Sequence, residues 1–139
     1  YPFRLRTQLA PRLFWMRTFH PLYNPTLAVR VLARVRETHP NATLTMAGQE
    51  KGCGDAVRAE VTRLGLDGAV HFAGFLDHAG KLAHGDAADI FLNTNHVDNT
   101  PVGVLEAAAL GLPVVATDVG GLRHLVRHEE SALLVADDD

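Results

Sequence analysis

Two acidic residues, Asp98 and Glu106, stand eight positions apart in the stretch DNTPVGVLEAAALGLPVVATDVGG. Pro101 lies between them and suits the first turn of a helix, where a backbone N–H has no partner within the helix. Thr100, just before it, suits the N-cap position. A helix is therefore predicted to begin between the two carboxylates.

The start of this helix has the chemistry of an anion site. The amides of Val102 and Gly103 would point out of the first turn, with the positive end of the helix dipole behind them. Glu106 would project from the same face as Val102, and Asp98 would lie in the preceding loop. Because carboxylates accept hydrogen bonds from hydroxyl groups, the pair could flank a ligand that carries sugar at one end and ribose at the other. The spacing also fits a plainer interpretation, in which the two acids are a solvated helix residue and a turn residue.

The segments around this stretch alternate between short apolar runs and helical periodicity. The predicted strands are 13–16, 42–46, 69–72, 90–92, 114–116 and 132–135, and the predicted helices are 25–39, closed by Pro40, then 55–64, 78–84, 101–110 and 121–127. This alternation predicts an α/β fold, a parallel sheet with helices on both faces, which right-handed crossovers make doubly wound. Ligands bind such sheets beyond the carboxyl ends of the strands. The loops predicted to form a site are therefore 17–24, 48–54, 73–77, 93–100 and 118–121.

Composition limits the classes of protein to consider. The 139 residues suffice for about one domain, and 47% hydrophobic with 21% charged residues is typical of a globular protein. The formal net charge of −3 gives no general attraction to nucleic acid. Cys53 has no partner for an intrachain disulfide, which favours a reducing, cytoplasmic compartment. The abrupt beginning and end of the sequence predict that 1–139 is one domain of a larger protein.

The string EAAALGLPVVATDVGG, with an acid eight residues before its glutamate, resembles the E-x7-E region of the retaining glycosyltransferases of the GT-B fold, the glycosyl transferases group 1 family. Three further segments resemble that family in the same order, namely FWMRTFHPLYNPTLAVRVLARV, ATLTMAGQEKG and VHFAGFLDHAGKLAHGDAADIFLNT. The resemblance covers nearly the whole chain. It implies the Rossmann-like C-terminal half of a GT-B fold, which binds a nucleotide sugar, with the N-terminal acceptor domain outside this sequence.

The resemblance implies a role for each residue of the motifs. Glu106 would hydrogen-bond the ribose, Asp98 would approach the hydroxyls of the donor sugar, and Arg17 would neutralise the diphosphate. The residues expected to bind the rest of the nucleotide are Phe75 and Leu76 along the base, and Asn99, Thr100, Val102, Gly103 and Val104 around the helix start.

The implied reaction is glycosyl transfer with retention of configuration to an acceptor of unknown class, a glycan, a lipid or a small molecule. Positive groups and a helix start, rather than a metal, would stabilise the departing nucleoside diphosphate, so no metal and no cofactor are expected. Residues 1–139 alone are not expected to turn over substrate. Any peripheral association with a membrane would run through the absent domain.

The sequence departs from the family pattern at three places, and two of them, Pro101 and a missing loop lysine, motivate an alternative, a GT-B-like interaction or ligand-binding module without activity. Asp98 replaces the usual glutamate and is one methylene shorter. Pro101 replaces a glycine and removes one N–H from the phosphate site. The lysine of the family's first loop has no counterpart, and its place falls near Tyr23.

Other classes fit the sequence less well. A receiver-type regulator would need an acidic cluster after the first strand, where Arg17 stands. His124 and His128 are one helical turn apart but lack a third metal ligand. The loop 48–54 is rich in glycine without the Lys-Ser/Thr pair of a P-loop.

Overall fold

The computed structural model describes residues 3, 5, 10–96, 102–117 and 133–135. The strands within them are β1 Arg12–Met16, β2 Thr43–Ala47, β3 Val70–Gly74, β4 Ile90–Asn93, β5 Val114–Thr117 and β6 Leu133–Val135. The α-helices are α1 Pro25–Val35, α2 Gly54–Arg63, α3 His78–Ala87 and α4 Val102–Ala109. Each strand lies within a residue or two of its predicted position. The helix predicted at 121–127 lies outside the described residues.

The helices show where sequence signals were reliable and where they were not. Gly65, predicted to stop α2, has a φ of 70°, the left-handed conformation that suits a residue after a helix. Helix α1 ends at Val35 instead of running on to Pro40, and the residues between form hydrogen-bonded turns. None of the described helices is long and apolar enough to cross a membrane.

The sheet is parallel throughout its described strands, in the order β3-β2-β1-β4-β5-β6. From β1 the chain adds β2 and then β3 on one side, and then returns to place β4, β5 and β6 on the other. This reversal between β1 and β4 is the switch point of a doubly wound sheet, where ligands bind. The predicted fold class is therefore confirmed.

Strand β1 separates two hydrophobic clusters because its side chains alternate between the faces of the sheet. Leu13 and Trp15 pack with α1 and α2, whereas Phe14 packs with β4 and α4. Trp15 and Phe14 are only 1% and 2% exposed, so both faces of β1 are covered. Burial on both faces explains why this strand is a continuous apolar run in the sequence.

Thr94 joins three parts of the chain below the carboxyl edge of the sheet. Its hydroxyl accepts a hydrogen bond from the Trp15 indole N–H at 2.8 Å and lies 2.8 and 2.9 Å from the carbonyl oxygens of Tyr23 and Asn24. Asn24 has a φ of 48°, a left-handed conformation that asparagine tolerates. The contacts fix the turn before α1 against the ends of β1 and β4.

Glu60 on α2 holds the two helices of one face together. It accepts hydrogen bonds from Arg63 at 2.5 Å and from Arg30 of α1 at 2.7 Å. These guanidinium groups lower the pKa of Glu60 from its ordinary 4.5 to about 2. Because the pKa is lower in the folded state, the stabilisation is complete above pH 4.5 and is lost as pH falls towards 2.

Glu60→Gln is expected to reduce the free energy of unfolding at pH 7 by about 1–2 kcal/mol, a modest value because both guanidinium groups are more than half exposed. It should also flatten the decline in stability between pH 5 and pH 2. Urea unfolding at a series of pH values measures both effects. The control is Glu37→Gln, which removes an exposed carboxylate and should change neither. A parallel acid decline in wild type and Glu60→Gln would contradict the assignment.

Candidate functional site

The loops that follow the first three strands are joined by backbone hydrogen bonds. The Arg17 N–H donates to Ala47 O at 3.0 Å, and the Phe19 N–H donates to Gln49 O at 2.8 Å. The Gly48 N–H donates to Gly74 O at 2.9 Å. The parallel pairing of the sheet thus continues past the strands, and the three loops form one connected wall.

At Gly48, the loop after β2 approaches the backbone of the loop after β1 very closely. Its φ is 148°, which side chains rarely adopt. A Cβ at this position would overlap the Arg17 carbonyl oxygen and lie 2.6 Å from its carbonyl carbon. A glycine is therefore required for the loop after β2 to support the loop that carries Arg17.

A cleft of about 290 Å³ lies at this edge of the sheet. Five residues that the sequence placed in the candidate site line it together: Arg17, Phe75, Leu76, Gly103 and Glu106. The remaining lining residues are Met16, Thr18, Tyr23, Gly48, Gln49 and Lys81. The structure therefore brings residues from four separate parts of the chain to one concave surface.

Arg17 lies against an aromatic ring within this cleft. Its guanidinium carbon is 4.4 Å from the centroid of the Tyr23 ring, a cation–π contact. Tyr23 ends a 3-10 turn, Pro21–Tyr23, at the place where the sequence lacks the loop lysine. His20 precedes that turn, and its Nδ1 accepts the Leu22 N–H at 3.1 Å. The ring at position 23 therefore orients a cation instead of supplying one.

Glu106 has a cationic neighbour that sequence reasoning missed. Lys81 of α3 places its Nζ 3.5 Å from Glu106 Oε1. The Glu106 side chain is 12% exposed and that of Lys81 is 33% exposed. The sequence offered one indication that Lys81 could reach the site. Lys81 lies in the first turn of α3, close to the carboxyl edge of the sheet, where the ligand is predicted to bind. Its pairing with Glu106 depends on how α3 and α4 dock, which periodicity does not give.

Phe75 stands at the border of two adjoining cavities. It is 77% exposed, and it lines both the cleft beside Arg17 and a second cavity of about 340 Å³. Gly48 and Gln49 also line both. The second cavity contains Phe72, whose ring lies 4.1 Å below the Arg58 guanidinium. A large exposed aromatic side chain between two concave surfaces can stack on a flat ligand.

Helix α4 presents two different surfaces near its start. Gly103 lines the cleft, and a Cβ on it would lie 3.4 Å from Phe91 and 3.5 Å from Met16 O, towards the sheet. Val104 is fully buried in the core, so only its backbone could meet a ligand. Val102 is the first residue of α4. The other predicted site residues of this region, Asp98, Asn99, Thr100 and Pro101, lie outside the described residues.

The loop after β2 carries the single cysteine of the chain. Burial and the neighbouring carboxylate of Glu50 raise the pKa of the Cys53 thiol, so its reactive thiolate form is disfavoured. Glu50 itself accepts the Gly52 N–H at 2.5 Å, and backbone donors of this loop lower its pKa. Among the described residues, no group of three histidine, cysteine or acidic side chains could hold a metal ion.

Comparison with known proteins gives three kinds of match. The family model for glycosyl transferases group 1 matches residues 10–139. Glycogen synthase of Mycobacterium tuberculosis is 35% identical over 116 residues, which is 81% of this chain and 27% of the relative. D-inositol 3-phosphate glycosyltransferase of Acidothermus cellulolyticus is 34% identical over 123 residues, 83% of this chain and 28% of the relative.

A solved structure adds a ligand-bound comparison. Anabaena HepE in complex with UDP superimposes with a TM-score of 0.82 and 25% sequence identity, over 93% of this chain and 35% of that protein. The chain thus spans between a quarter and about a third of the length of the proteins it matches.

Proposed function

This chain belongs to the glycosyl transferases group 1 family, and on that basis we propose that it binds a nucleoside diphosphate sugar as the donor for glycosyl transfer. In the protein that contains it, the sugar would pass to an acceptor with retention of configuration and without a metal ion. HepE binds UDP, which makes a uridine nucleotide the first donor to test.

One observation carries this proposal: Arg17, Glu106 and Phe75 line a single cleft at the carboxyl edge of the sheet. The three side chains match the three parts of a donor nucleotide. Glu106 can accept hydrogen bonds from ribose hydroxyls, Arg17 can pair with phosphate oxygens, and the exposed ring of Phe75 can stack on a base. Each contact is of a different chemical kind, so together they favour a nucleotide over a simple anion or a simple sugar.

The same residues suggest how the donor would react. When the bond between the sugar and the β-phosphate oxygen breaks, both electrons remain on that oxygen and negative charge grows on the diphosphate. A fixed cation near that oxygen stabilises the transition state more than the ground state, which lowers the barrier. Arg17 is held by its stacking on Tyr23 and is the proposed source of this stabilisation.

The proposed donor site is tested by ligand binding to the 139-residue chain. We expect UDP-glucose, GDP-glucose or ADP-glucose to raise the unfolding temperature, and a ligand at one hundred times its Kd adds about 2.7 kcal/mol of stability. Isothermal titration calorimetry gives the affinity, which EDTA should leave unchanged if no metal takes part. Absence of binding for all three sugars would refute the proposal.

Retention is tested separately, on any longer protein that contains this chain and transfers sugar. Proton NMR of the first product should show the anomeric configuration of the donor. Inversion would leave the donor site in place but exclude the proposed mechanism.

A further inference from the structure

Arg17 alone does not supply enough positive charge to neutralise a nucleoside diphosphate bound in the candidate cleft. Among the described lining residues, Arg17 and Lys81 are cationic and Glu106 is anionic. A diphosphate carries at least two negative charges at neutral pH. Without Lys81, the charges of Arg17 and Glu106 would cancel, and the described walls would offer a diphosphate no net attraction.

We infer that Lys81 binds the diphosphate of the donor, from the helix that follows β3. This inference rests on the proposed function of the cleft and deepens it. Lys81 would be the second cation of a site whose first loop contains a tyrosine, Tyr23, beside Arg17. The site would therefore take its two positive charges from the loop after β1 and from α3.

The geometry around Lys81 fits such a role. Asp77 begins α3, accepting the Gly80 N–H at its side chain and the Lys81 N–H at its carbonyl oxygen, both within 2.9 Å. These bonds fix the first turn of α3, which ends at Lys81 and begins shortly after Leu76, a residue of the cleft. Its side chain is two-thirds covered, and its ammonium lies 3.5 Å from Glu106, another residue of the cleft.

The contact with Glu106 leaves Lys81 able to bind a second anion. At 3.5 Å the two groups form a looser ion pair than Arg12 and Asp89, which lie 2.6 Å apart. An ammonium group has three N–H donors. It can therefore remain beside Glu106 while it donates to a phosphate oxygen, and so place the ribose acceptor and the phosphate cation side by side.

The test compares the affinities of Lys81→Gln and wild type for UDP, UMP and uridine, with the ADP and GDP series in parallel. We expect the variant to bind UDP roughly tenfold more weakly and uridine equally well, with UMP between them, because a lost phosphate contact matters only when phosphates are present. Lys81→Arg should retain most of the affinity. Lys51→Gln, which removes an exposed lysine outside the cleft, is the matched control and should not change binding.

A second pair of variants separates phosphate binding from mere shielding of Glu106. If Lys81 only neutralises that carboxylate, then Lys81→Gln should have no effect on UDP binding once Glu106→Gln is present. A direct phosphate contact predicts that the roughly tenfold loss persists in this background.

The outcomes distinguish the inference from the proposed function. If wild type binds UDP but Lys81→Gln weakens UDP and uridine equally, or loses its effect beside Glu106→Gln, the inference is wrong and the donor site stands. If wild type binds no nucleoside diphosphate of the three series, both are wrong.

Discussion

Glu106→Ala is expected to weaken the binding of a nucleoside diphosphate by about ten- to one-hundredfold, because hydrogen bonds to a charged group contribute about 1.5–3 kcal/mol. The carboxylate is 12% exposed, so water can replace only part of what its loss removes. Isothermal titration calorimetry of the chain with UDP measures the change. Glu37→Ala removes a carboxylate that is 63% exposed and serves as the control.

The effect of Glu106→Ala can be assigned to the ribose by changing the ligand. Wild type should bind 2′,3′-dideoxy-UDP more weakly than UDP, whereas Glu106→Ala should bind the two equally. The comparison matters because removing Glu106 also frees the Lys81 charge that faces it, which by itself would favour phosphates. If the variant still discriminated between the two ligands as wild type does, Glu106 would not be the ribose acceptor.

The pattern of the sequence was sufficient to predict the sheet. A parallel strand buried on both faces is a nearly uninterrupted apolar run, and β1 and β5 are such runs in sequence and in structure. Their alternation with helices fixes the crossover type, and so the edge at which the loops meet. This is why Arg17, Phe75 and Glu106 could be predicted to share a site although Arg17 and Glu106 are 89 positions apart in the sequence.

The sequence could not give the contacts that depend on how packed elements face each other. The pairing of Lys81 with Glu106 needs α3 and α4 at a particular rotation, and no local pattern encodes that rotation. The stacking of Arg17 on Tyr23 depends on the turn before α1, which Thr94 holds from a distant strand end. Such contacts arise from docking, so they appear only when the whole domain is assembled.

In the structure, the absence of the lysine from the first loop therefore does not mean that the cleft lacks a second cation. In the sequence, this absence motivates the interpretation as a module without activity, because only the loop in which the lysine is expected can be compared there. The fold places Lys81 in the same cleft from another element. Whether a site contains a cation depends on which residues the fold brings together in three dimensions. A sequence motif shows only which residues are close together along the chain.

Gly48→Ala is expected to be the most destabilising single methyl addition near the site, reducing the free energy of unfolding by about 2–6 kcal/mol. A φ of 148° strains an alanine by about 1–3 kcal/mol. The overlap of its Cβ with the Arg17 carbonyl group would force a backbone shift that costs about 1–3 kcal/mol more. Urea unfolding of variant and wild type measures the total.

Gly52→Ala separates these two contributions, because Gly52 lies in the same loop with a φ of 114° and a Cβ there would meet nothing within 4 Å. Gly52→Ala should reduce the free energy of unfolding only by the backbone strain, about 1–3 kcal/mol, and should leave the nucleotide affinity unchanged. Gly48→Ala should in addition bind UDP about tenfold more weakly, because the shift that relieves the overlap moves the loop that carries Arg17. Equal losses of stability in the two variants would show that Gly48 does not support that loop, and the position of Arg17 would then need another cause.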